Sequence, residues 1–173
     1  MPERQPLTFW DHVDELRRRL IRSIVVLVVA ATGGFWLSPY AQSFLVKPFV
    51  EHVKGTLALL APGDGFVIQV KLGIMLGLII ASPFVAYQMY GFIGPGLKPN
   101  EKAWLWPVVT ISTILFWGGV VFAWYIMPAA IEFLGSFAEM GIQNMWSLKT
   151  YISLIIFLLL SFGVIFQLPL SAA

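Results

Sequence analysis

Two glutamates and one glutamine are the residues of this sequence best suited to recognise another molecule. Glu15 closes a polar leader in the stretch Asp11-His-Val-Asp-Glu-Leu-Arg-Arg-Arg-Leu20, and Glu101 lies in the turn Gly94-Pro-Gly-Leu-Lys-Pro-Asn-Glu-Lys102. A carboxylate accepts a two-pronged hydrogen-bonded fork from an arginine, so two of them converging on one face would suit a basic peptide. Spacing alone favours a plainer arrangement, with Glu15 on Arg19 one helical turn away and Glu101 on Lys98 or Lys102. Gln167, near the end of an apolar stretch, carries an amide that seeks a partner in hydrocarbon, either inside its own bundle or on a second protein. The two histidines, His12 and His52, fall in segments on opposite sides of a membrane and cannot share a metal. No G-x-S-x-G, H-E-x-x-H or phosphate-loop pattern occurs, and with no cysteine among 173 residues thiol and disulfide chemistry are absent. The residues therefore point to recognition, with no catalytic apparatus, metal or cofactor expected.

These groups must be positioned by membrane helices. The chain is 58% apolar and 12% charged, with a mean hydropathy of +0.82, far from the roughly 25% charged residues of a soluble domain. A net charge of +2 in so apolar a chain excludes nucleic acid as the partner. Four charge-free runs, Ser23 to Val46, Leu72 to Leu97, Ala103 to Ile131 and Thr150 to Ala173, reach the roughly 20 residues that a helix needs to cross hydrocarbon. The expected fold is all-α, a polytopic membrane helical bundle forming a single domain. Its four spans are expected near 24–37, 66–93, 106–127 and 151–169, joined by outer segments 38–65 and 128–150 and by cytoplasmic segments 1–22 and 94–105. Arg4, Arg17, Arg18, Arg19, Arg22, Lys98 and Lys102 against Lys47, Lys54, Lys71 and Lys149 place the N-terminus in the cytoplasm.

Finer features follow from periodicity. Phe9, Val13, Leu16 and Leu20 give the leader an apolar stripe, so an amphipathic helix is expected from Thr8 to Arg22, running into the first span. Its acidic residues and the three spans that follow argue against a cleaved secretory signal. Pro39, Pro48 and Pro62 in the first outer segment suggest a short interfacial helix between turns. Pro83 inside the second span removes a backbone bond and predicts a kink or break, its freed carbonyl needing a neighbouring helix or a wet cavity.

Taken together, these blocks resemble the TatC family, the substrate receptors of twin-arginine protein export. The leader is similar to the family's H-L-x-E-L-R-x-R-L opening, with Val13 in place of Leu. Ala81-Ser-Pro-Phe-Val-Ala-Tyr-Gln-Met-Tyr-Gly-Phe-Ile-Gly-Pro-Gly-Leu97 with Glu101, Phe116-Trp-Gly-Gly-Val-Val-Phe-Ala-Trp-Tyr125 with Pro128, and Ser161-Phe-Gly-Val-Ile-Phe-Gln-Leu-Pro169 follow in family order. The resemblance implies that Glu15 and Glu101 contact the paired arginines of signal peptides, with Leu16, Arg17 and Phe92 beside them. This overturns the preference for local pairing. It also matches Pro48 to an outer-loop proline and Gln167 to the contact with single-span TatA- and TatB-like partners. An oligomeric complex driven by the proton motive force, in a bacterial or archaeal cytoplasmic membrane or a thylakoid, is implied as well. The family has six spans and this sequence four, so it reads as either a fragment or a truncated relative. The competing readings from the residues are a small-solute transporter or channel built around Pro83, and a structural subunit of a membrane assembly. Mid-span residues able to bind an ion or relay a proton are missing, which weighs against the transporter.

Overall fold

The computed structural model describes residues 9–53, 55–93, 105–137 and 145–171. Its elements are α1 (Phe9–His52), β1 (Thr56–Ala58), α2 (Asp64–Ile93), α3 (Leu105–Ser136), β2 (Met145–Ser147), α4 (Leu148–Ile165) and the single turn α5 (Leu168–Ser171). Four stretches, Val13–His52, Asp64–Phe92, Trp106–Ser136 and Leu148–Leu170, are long and apolar enough to cross a membrane. The fold is a polytopic membrane helical bundle.

The outside of this bundle is as greasy as its inside. Val25, Val28, Val29, Trp36, Ile114, Tyr125 and Phe157 all stand exposed, as expected where the solvent is lipid and every backbone bond is closed within a helix. The buried residues recur at helical spacing: Ile68, Leu72, Met75 and Ile79 on α2, Ala123, Met127 and Ile131 on α3, and Ile152, Ile155 and Leu159 on α4. Because lipid solvates leucine as well as protein does, close packing must hold the helices together. Small residues allow it. Gly73 and Gly77 of α2 press against Ala31 and the backbone of Phe35 in α1, and a Cβ added at Gly77 would lie 2.6 Å from the Ala31 Cα. Gly119 of α3 meets the Phe162 carbonyl and Gly163 of α4 in the same way.

The first helix differs from expectation. Instead of a leader helix, a span and a separate interfacial helix, α1 runs for 44 residues through Pro39 and Pro48, about 66 Å at 1.5 Å per residue. Likewise α2 is continuous through Pro83. At Pro39 and Pro83 the physical reason lies in the residue before the proline. Pro39 cannot donate to the Phe35 carbonyl, and the buried Ser38 hydroxyl donates to it instead at 2.7 Å. Ser82 does the same for the Ile79 carbonyl freed by Pro83, also at 2.7 Å. Neither a neighbouring helix nor a cavity is required.

The end of the bundle opposite the leader is tied shut. β1 and β2 pair in parallel, Thr56 opposite Met145 and Ala58 opposite Ser147, two short strands that the all-helical expectation did not contain. Ser147 also caps α4 by accepting from the Thr150 amide. The buried Tyr151 hydroxyl donates to the Leu45 carbonyl of α1 at 2.8 Å, and Phe49 meets the rings of Trp146 and Tyr151 edge-on. Lys149 reaches the buried Asp64 carboxylate at 2.9 Å. At the other end Glu15, Arg19 and Gln88 meet.

Candidate functional site

At that other end α1 begins and α2 finishes. Helical spacing puts Glu15 and Arg19 on one face of α1, and they form an ion pair: Arg19 Nη2 lies 2.7 Å and Nε 2.9 Å from Glu15 Oε1. The third nitrogen, Nη1, donates to Gln88 Oε1 on α2 at 3.3 Å. The guanidinium lies against Gly91, where any Cβ would collide with it. Gln88 and Gly91 are three apart on α2, so one face of that helix supplies both an acceptor and a flat place for the arginine. Gln88 is buried, whereas the Glu15 and Arg19 side chains keep 24% and 22% of their surface. A carboxylate in this setting is held in place yet reachable.

The other anticipated residues divide around this pair. Phe92 is half-buried next to Gly91, at the same corner. Leu16 is exposed beside Glu15. Arg17 points elsewhere, because two residues along a helix turn it to the far side; it lines a shallow depression with Asp14, Arg18 and Ile21. Arg18 donates to the Asp14 backbone carbonyl at 3.3 Å, and no Asp14–Arg18 ion pair forms. Glu101, Lys98 and Lys102 lie outside the described residues. Pro48 is buried at the capped end of α1. Pro83 lines an apolar groove with Phe84, Tyr87, Trp106 and Ile114 between α2 and α3.

Gln167 comes to the same end of the bundle as Glu15, just after α4. It exchanges two bonds with α3: Ser112 Oγ donates to its Oε1 at 2.8 Å, and its Nε2 donates to the Ser112 carbonyl at 2.8 Å. The amide thus makes two bonds within the bundle. Lys71 donates to Ser153 Oγ of α4 at 2.7 Å. Sequence reasoning missed Gln88. The available signal was a lone amide in the apolar run Tyr87-Gln-Met-Tyr90, one turn before the end of a span.

Chemically, the corner binds one cation already, the guanidinium of Arg19. It offers a fixed carboxylate and a buried amide oxygen, and Ser82, Pro83 and Gly91 shape the helix that carries the amide. Among the described residues no group of three or more metal-ligating side chains forms.

A family model described as Sec-independent protein translocase protein (TatC) matches residues 11–173. The protein named TatC from Synechocystis sp. is 34% identical over 98% of this chain and 66% of its own length. The chloroplastic TATC protein of Arabidopsis thaliana is 34% identical over 98% of this chain and 50% of its own. A crystal structure of the twin arginine translocase receptor TatC superposes with a TM-score of 0.85 at 33% identity, over 92% of this chain and 72% of that one. The chain spans from about half to just under two thirds of the length of these two curated relatives.

Proposed function

The chain belongs to the TatC family of Sec-independent protein translocase proteins, and from that membership we propose that it is the receptor for twin-arginine signal peptides and a core subunit of a system exporting folded proteins. In this reading it is a multi-pass membrane protein that binds and catalyses no reaction. Translocation draws on the proton motive force, in a complex with TatA- and TatB-like single-span proteins. The N-terminus faces the cytoplasm, because the Lys/Arg excess gathers at the end where α1 begins and α2 finishes.

The observation that carries the proposal is the exposed quarter of the Glu15 side chain, fixed at the open end of the bundle. A carboxylate there contributes nothing to anchoring in a membrane and is paired with an arginine, the group it would have to recognise. Glu101 supplies the second carboxylate and Phe92 and Leu16 an apolar wall, as the family resemblance implies. Each charge-assisted contact to a guanidinium is worth about 1.5–3 kcal/mol.

Titration of a fluorescent twin-arginine peptide against the solubilised protein tests this. Glu15→Gln and Glu101→Gln should each weaken binding about ten- to hundredfold. Wild-type affinity in both single variants would overturn the proposal.

A further inference from the structure

Glu15 already holds an arginine of its own chain, and it holds it badly. A guanidinium meets a carboxylate best with two parallel bonds, one to each oxygen. Arg19 instead sets both Nε and Nη2 on Oε1 while Nη1 stretches 3.3 Å to Gln88. Glu15 Oε2 meets no donor among the described residues. The pair is therefore a poorer version of the contact that an incoming arginine would make.

We infer that Arg19 is an intramolecular stand-in for the ligand's arginine and determines the preference for arginine over lysine at Glu15. The inference rests on the receptor reading above. A peptide guanidinium reaches Glu15 as a fork across both oxygens, which is better than the bond it replaces. Arg19 keeps its charge and its place, swinging onto the Gln88 amide oxygen along the notch left by Gly91. No proton moves. A peptide lysine brings one ammonium, a point charge without the fork, and must break two Arg19 bonds to win fewer. The stand-in thus sets a threshold that arginine passes and lysine does not.

The test measures twin-arginine and twin-lysine peptide affinities for wild type, Arg19→Gln, Arg19→Lys, Arg18→Gln and Glu15→Gln. Relieving this part-buried i,i+4 ion pair should tighten arginine-peptide binding about two- to fivefold in Arg19→Gln. Binding of the lysine peptide should gain more, so that the ratio between the peptides narrows. Arg19→Lys should fall between wild type and Arg19→Gln, and it keeps the test alive should Arg19→Gln fail to fold. Arg18 bears the same charge one residue away but bonds the Asp14 carbonyl, so Arg18→Gln should change neither peptide's affinity to a comparable degree. Weaker binding in both Arg19 variants, an unchanged peptide ratio, or an equal gain in Arg18→Gln would overturn the inference. Full binding in Glu15→Gln would instead reject the receptor site itself.

Discussion

Gln167 uses one lone pair of Oε1 and one N–H of Nε2 on Ser112. A side-chain amide has two of each, so half of its bonding capacity remains for a partner helix. If it serves both purposes, Gln167→Leu should cost the bundle about 0.6–1.7 kcal/mol, the range of hydrogen bonds measured in membranes. The same variant should also co-purify less of the TatA- and TatB-like proteins. Lost stability with unchanged co-purification would assign the amide to the bundle alone. The Glu15–Arg19 pair was legible in the helical spacing, which favoured it before the family resemblance set it aside, although the same spacing brings no ion pair to Asp14 and Arg18. Gln88 was not, because its bond to Arg19 depends on how α1 and α2 cross, which no local spacing encodes. Arg17 could not be separated from Glu15 by resemblance alone, but helical geometry turns it away.

The helices themselves carry the proline tolerance. In Ser38-Pro39 and Ser82-Pro83 the serine satisfies the carbonyl that the proline abandons, and both helices continue. Ser82→Ala should therefore cost about 1–2 kcal/mol, the penalty of an unsatisfied buried carbonyl, read as a shift in the denaturation midpoint in micelles. Ser82→Ala combined with Pro83→Ala should recover most of it, since an alanine in place of the proline supplies the missing N–H. No recovery would show that Ser82 stabilises α2 by another route. The existence of the four long helices could be read from the charge-free runs. The continuity of α1 could not, since a proline normally ends a helix and the rescuing serine lies in the preceding position, where serine also marks turns. The close seam of α1 and α2 did have a signal, Gly73-x-x-x-Gly77, a pattern that lets membrane helices approach.

At the scale of the whole molecule, one end is closed by the strand pair, the Tyr151–Leu45 bond and the Lys149–Asp64 pair, while the other carries Glu15, Arg19, Gln88 and Gln167. The strand pair was invisible in advance because each strand is three residues long and its partner lies beyond two membrane helices. The proposed orientation rests on the charge count: a reporter fused at Gly63 should read the outside and one at Asn100 the inside, and the reverse would turn the proposed receptor corner away from its ligands.

The proposed receptor site is tested most directly by a double-mutant cycle, pairing Glu15→Gln with the replacement of each peptide arginine by glutamine in turn. A direct contact predicts a coupling energy of about 1.5–3 kcal/mol between Glu15 and one of the two arginines. Additivity to within about 0.5 kcal/mol for both arginines would mean that Glu15 touches neither, and would contradict the account.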